Sequence, residues 1–123
     1  MIKIITIVLL FAFVNPSIAA GERSVFKNTA VEKFNAEDLA LMNARVREAL
    51  VSEKEGEVLT WNNDKSKASG TVTPLGRLTW KGLACRRLQL TTSYGNMAGK
   101  GVYKFCEKPA GRWRLVGPEA YQG

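Results

Sequence analysis

LACRRLQLTTSY-GN-MAGKGVYKFCE, residues 83–107, is the stretch whose reading decides the fold. Two runs of strand-like composition flank Gly95-Asn96, a dipeptide suited to a two-residue hairpin turn. In such a hairpin the residue numbers of every opposed pair share one constant sum. Cys85 and Cys106 share that sum with Gly95 and Asn96, so the turn sets the cysteines directly opposite each other. Counted from the hydrogen-bonded closing pair Tyr94/Met97, they fall on a non-hydrogen-bonded pair, whose Cα atoms stand about 4.5 Å apart. That is within disulfide range, and a bond there contributes about 3 kcal/mol. The same register sorts the faces. Leu88, Leu90, Tyr94, Met97, Tyr103 and Phe105 share one side, which should meet a core. Cys85, Arg87, Gln89, Thr91, Lys100, Val102, Lys104 and Cys106 share the other. One consequence is costly: Arg87 and Lys104 become like-charged direct neighbours unless a bulge near Gly99 or Gly101 parts them.

Toward the N-terminus, Val58 to Trp61 reads as a short strand, and residues 62–70 (NNDKSKASG) as a polar loop. Thr71 to Thr73 resumes strand character. Pro74 and Gly76 point to an edge strand or a bulge there. Leu78-Thr79-Trp80 follows, with Lys81-Gly82 as a turn. Beyond the hairpin, Pro109-Ala110-Gly111 reads as a turn, and residues 112–116 as a last strand.

Upstream of the strands lies one amphipathic helix. Asn35 is a good N-cap, and Asp38, three residues on, supplies the reciprocal half of a capping box. Leu39, Met42, Val46, Ala49 and Leu50 recur at helical spacing, and Gly56 is the expected stop. The expected fold is α+β: one N-terminal amphipathic helix packed on a twisted antiparallel sheet of about four to five strands, with one disulfide.

The first residues carry an address. Lys3 precedes an apolar run at 4–14, Asn15-Pro16 breaks it, and Ser17-Ile18-Ala19 offers the small residues of a cleavage site. The run is shorter than the roughly 20 residues needed to span a bilayer, which argues against an uncleaved anchor. The expected organisation is a signal peptide at 1–19, a flexible segment at 20–35 and one α+β domain at 36–123. Export to an oxidising compartment makes Cys85 and Cys106, the only two cysteines, a structural pair. Metal ligation is the weaker reading, with no histidine in the chain. A redox site is weaker too, because the spacing is unlike CxxC.

Several motifs stand in a fixed order: Trp61-Asn62-Asn63, then residues 69–74 (SGTVTP), then Gly82 with Cys85-Arg86, then Gly101 with Cys106, then Gly111-Arg112-Trp113. The ordered set resembles the C-terminal domain of the 17 kDa outer-membrane surface antigen family of proteobacteria, over roughly residues 39–116. The resemblance implies an exported cell-envelope protein and no catalysis. Longer members carry a lipid-modified cysteine after the signal and a glycine-rich hydrophobic segment. This chain shows neither, which favours a periplasmic or cell-surface location with at most peripheral outer-membrane contact.

Without histidine, His-based acid–base work and nucleophilic triads are excluded. The acids cluster on or just after the helix (Glu37, Asp38, Glu48, Glu53, Glu55, Glu57) and read as a solvated face. No paired-carboxylate or phosphate-cradling pattern stands out. The expectation is a non-enzyme with no cofactor and no metal. The charge is +7, and Lys3 is the only charged residue of the leader. Arg86, Arg87, Lys100, Lys104, Arg112 and Arg114 concentrate in the C-terminal strands. They read either as a basic face for an anionic envelope component or protein partner, or as scattered solubilising charge. Nucleic acid is not an expected partner. Trp61, Trp80 and Trp113 read as core. Alternative roles are an assembly component of a larger envelope complex, docking through Val25, Phe26, Val31 and Phe34, or a periplasmic inhibitor of a lytic enzyme. The inhibitor fits less well, since such enzymes are commonly basic.

Expression with the native N-terminus should yield a mature chain beginning at Ala20 with no free thiol. N-terminal sequencing with intact mass after alkylation checks this, and an uncleaved, doubly alkylated chain would overturn the export reading.

Overall fold

A computed structural model describes residues 29–118; residues 1–28, with the expected signal peptide and most of the expected flexible segment, and residues 119–123 lie outside the described residues. A 3-10 turn, Ala30–Lys33, leads into helix α1, Ala36–Val51. Five strands follow: β1 Leu59–Asn62, β2 Ser69–Trp80, β3 Leu83–Tyr94, β4 Met97–Glu107 and β5 Trp113–Pro118. All pairings are antiparallel, and the strand order follows the chain, β1-β2-β3-β4-β5. Helix and 3-10 turn cover one face of this meander.

The β3–β4 hairpin takes the register expected from its turn. Tyr94 pairs with Met97 and Cys85 with Cys106. Gly95 has φ +56°, the positive value that a turn with glycine first requires. The cysteines are joined, with a Cα separation of 4.0 Å. No bulge forms at Gly99 or Gly101, and Arg87 stays opposite Lys104. β2 runs unbroken through Pro74 because a bulge between Pro74 and Arg77 absorbs the misfit. At Gly70 a Cβ would overlap the Thr91 carbonyl oxygen and crowd the Trp61 indole, so the close approach requires glycine.

The helix buries Met42, Val46, Ala49 and Leu50 against Trp61, Val72, Leu88, Leu90, Phe105 and Leu115 of the sheet. It ends at Val51, earlier than Gly56, because the Ser52 hydroxyl accepts the Lys54 amide and turns the chain. Part of the segment expected to be a flexible tether is packed. Ala30, Val31 and Phe34 lie in the core, and Phe34 meets Trp61 edge-on with ring centroids 5.2 Å apart. Val31 and Phe34 are therefore not a docking strip: apolar side chains that close this chain's own core are withdrawn from partners.

Two polar devices tie the helix ends to the sheet side. At the N-terminus, the Asn35 amide donates to Asp38 Oδ2 at 2.9 Å and the Asp38 amide donates to Asn35 Oδ1 at 2.8 Å. Asp38 Oδ1 also accepts from Asn63 Nδ2 at 2.8 Å and Ser66 Oγ at 2.6 Å, across to the β1–β2 loop. Asp38 is therefore 0% exposed, not part of a solvated acidic face. Burial pushes its carboxyl pKa up, but the bonds from Ser66, the Asn35 amide and Asn63 together hold it below the ordinary value. At the other end, Arg86 Nη1 donates to the Ser52 carbonyl just past the helix C-terminus, and Arg86 Nε donates to the Leu75 carbonyl at 3.1 Å. A cation there suits the negative end of the helix dipole.

Asp38→Ala strands the buried Asn63 amide and the half-buried Ser66 hydroxyl and removes the capping box. It should cost about 2–4 kcal/mol at neutral pH. A folded-state pKa below the ordinary one means the carboxylate's contribution is full above about pH 4 and is lost as pH falls through the lower folded value. Urea melts of both proteins should thus converge in acid, and a wild-type-minus-variant difference that ignores pH would refute this role.

Candidate functional site

The sheet face opposite the helix is where the chemistry-bearing side chains gather. Alternation along strands puts Cys85, Arg87, Gln89 and Thr91 of β3 on it, beside Cys106, Lys104, Val102 and Lys100 of β4. The β2–β3 pairs Leu78/Cys85 and Trp80/Leu83 bring Leu78 and Trp80 to the same face, and Arg114 of β5 lies opposite Cys106. No described helix or strand covers this face.

Of the six cations expected to form a basic face, four stand on it: Arg87, Lys100, Lys104 and Arg114. Arg112 is exposed in the turn before β5, where its amide donates to the Pro109 carbonyl. Arg86 is on the opposite side. It is 2% exposed and bonded to Ser52 and Leu75. The reason is strand geometry, because neighbours 86 and 87 must point to opposite faces. Burial first, and then Arg77, lower the Arg86 pKa, while Glu55 and Glu53 oppose them. A guanidinium stays protonated regardless.

Trp80, expected in the core, stands on this outer face. Its ring carries Lys104 Nζ at 4.3 Å and Lys81 Nζ at 4.5 Å from the centroid. Lys81 reaches it from the β2–β3 turn, where Lys81 and Gly82 have φ +49° and +74°, the two left-handed residues of a twist-matched hairpin. Lys104 comes from β4. A contact between β2 and β4 side chains passes over β3, the strand that carries Cys85. This cover explains why Cys85 and Cys106, on the face away from the helix, are only 2% and 1% exposed. It also resolves the Arg87–Lys104 conflict, since Lys104 turns its ammonium onto the aromatic ring. Applying the register rule to Lys81-Gly82 would have placed Trp80 beside the cysteines. Trp61 is core, and Trp113 is half-buried against it.

On the helix side of the sheet, an open depression of about 280 Å³ is lined chiefly by Arg77, Thr79, Ala84, Glu107 and Trp113. Its Glu107 carboxylate is engaged, accepting the Gly111 amide at 2.8 Å. Among the described residues no group of three His, Cys, Asp or Glu could hold a metal ion. What the outer face offers is fixed positive charge around an aromatic platform.

No family model matches the chain, and neither curated proteins nor solved structures yield a match.

If the Trp80 cover shields the disulfide, Trp80→Ala should speed reduction of Cys85–Cys106 in the folded protein by roughly tenfold or more. Thiol trapping during dithiothreitol treatment measures it, and an unchanged rate would show that Trp80 is not the shield.

Proposed function

We propose that this protein is an exported, non-catalytic cell-envelope module whose outer sheet face binds an anionic component, either a lipid or lipopolysaccharide head group or an acidic surface. The observation that carries the reading is the convergence of Arg87, Lys100, Lys104 and Arg114 on one uncovered face, with Trp80 and Lys81 at its border. Guanidinium and ammonium groups bind phosphate and carboxylate, and an indole ring supplies an apolar shelf beside them. The leader-like first residues and the resemblance to the surface antigen family favour the envelope as the setting. A disulfide that closes the hairpin suits an oxidising compartment.

The test is cosedimentation of the folded protein with phosphatidylglycerol vesicles, and separately with lipopolysaccharide, against phosphatidylcholine vesicles as control. Binding should be confined to the anionic surfaces and fade with added salt. Replacing Arg87 and Lys104 together by Glu should weaken it by about tenfold or more, because each cation near such a surface is worth about 1 kcal/mol. Equal binding to neutral vesicles, or indifference to salt, would remove the electrostatic reading.

A further inference from the structure

Helix α1 is shorter than the sheet beneath it. The bond from Arg86 to the Ser52 carbonyl sets the helix C-terminus over the row formed by Arg77, Arg86, Phe105 and Leu115. The next row outward holds Thr79 paired with Ala84 and Glu107 paired with Trp113. Continuing the Cys85/Cys106 register by one residue puts Ala84 beside Glu107. Alternation turns all four side chains to the helix side, past the point where the helix stops. Thr79 and Ala84 are exposed there, and Trp113 is half-buried. This row is the depression of about 280 Å³. Ala84, the smallest side chain, is its floor, with Arg77 and Thr79 on one side and Glu107 and Trp113 on the other. The described chain ends well away from it. Thr29 lies beside Thr92 and Gly99, and β5 runs from Trp113 away from the depression to Pro118, opposite Tyr103.

The walls are held in place by the fold. Glu107 Oε2 accepts the Gly111 amide at 2.8 Å, which leaves Oε1 as an acceptor. Arg77 Nη2 donates to the Ser52 carbonyl at 3.4 Å and stands 3.6 Å from Glu53, which leaves Nε and Nη1 as donors. Trp113 backs onto the core. Side chains fixed in this way lose little freedom when a ligand arrives. The charges also balance. Arg77 and Arg86 have Glu53 and Glu55 near them, and Glu107 stands across the floor, so neither sign dominates. The outer face, with its four cations, is the opposite case.

An indole wall with a guanidinium, a carboxylate and a hydroxyl around it, and no dominant charge, matches an uncharged ligand that has one apolar face and a rim of hydroxyls. We propose that this depression binds an uncharged hexose ring, either a free sugar or the end of a glycan chain. The C–H face of the ring lies on Trp113. Its hydroxyls donate to Glu107 Oε1 and accept from Arg77, and the Thr79 hydroxyl serves either way. A phosphate is the poorer occupant, because Glu107 and Glu53 would repel it. The site is on the other side of the sheet from Trp80 and does not rest on the basic-face reading.

The probes are glucose and N-acetylglucosamine, with the N-acetylglucosamine trimer as the chain form and glucuronate and glucosamine as charged counterparts. They are titrated into the isotopically labelled, folded protein. The neutral sugars should shift the indole N–H signal of Trp113, with Trp61 and Trp80 unmoved, and added salt should not weaken the effect. A trimer that binds more tightly than the single ring assigns the site to a chain end, and equal affinity assigns it to a free ring; both uphold the proposal. Ala84→Gln raises the floor at an exposed position without changing the charge. It should weaken sugar binding by about tenfold or more and leave vesicle binding unchanged, so this inference and the basic-face reading fail separately. Should Ala84→Gln not fold, Arg77→Ala serves, with an expected loss of about threefold to tenfold. The inference is overturned if neither neutral sugar moves the Trp113 signal, if glucuronate or glucosamine binds more tightly than both, or if the folded Ala84→Gln variant binds unchanged.

Discussion

The β3–β4 ladder is the constraint on which the rest of the molecule depends. Its register is held at both ends, by a two-residue turn at Gly95-Asn96 and by the Cys85–Cys106 bond. A slip of β4 by one residue against β3 would carry Tyr103 and Phe105 to the solvent side and bring Lys104 toward the core. Because turn and bond agree on one pairing, the inner face can be apolar and the outer face cationic without ambiguity. β2 and β5 then extend those faces on either side, each adjusted by one bulge.

The helix is fastened to this platform at both ends by polar groups rather than by its apolar stripe alone. Asp38 joins the first turn to Asn63 and Ser66, so a helix cap and a loop anchor are the same carboxylate. Arg86 fastens the other end through the Ser52 carbonyl. Apolar contact is non-directional and permits sliding. Buried hydrogen bonds with fixed partners do not, and they set where along the sheet the helix sits.

What could be read in advance follows from how local each signal is. The turn dipeptide, the cysteine spacing and the helical stripe are properties of short windows, and they led to the strand register, the disulfide and the buried helix face. Asp38 was legible as a cap because its partner is three residues away. Its bonds to Asn63 and Ser66 depend on the loop folding back across the helix end, which no local pattern reports. Arg86 belongs with Arg87 by composition but not by geometry, because alternation sends neighbours on a strand to opposite faces. For Trp80 residue type points to the core, whereas the Lys81-Gly82 turn carries the register that sets it among the cations. The packing of Ala30, Val31 and Phe34 had no periodic signal, since a single 3-10 turn is too short to show one.

Strand order that follows chain order has a kinetic side. Each strand of this meander pairs with the one made just before it, so every pairing closes a short loop and little chain entropy is spent on distant encounters. The central hairpin, with a two-residue turn and a ladder unbroken by any bulge, is the natural place for assembly to begin, and neighbouring strands zip outward from it. The sulfur–sulfur bond then latches a pairing that local chain geometry has already chosen, so oxidation follows topology instead of directing it.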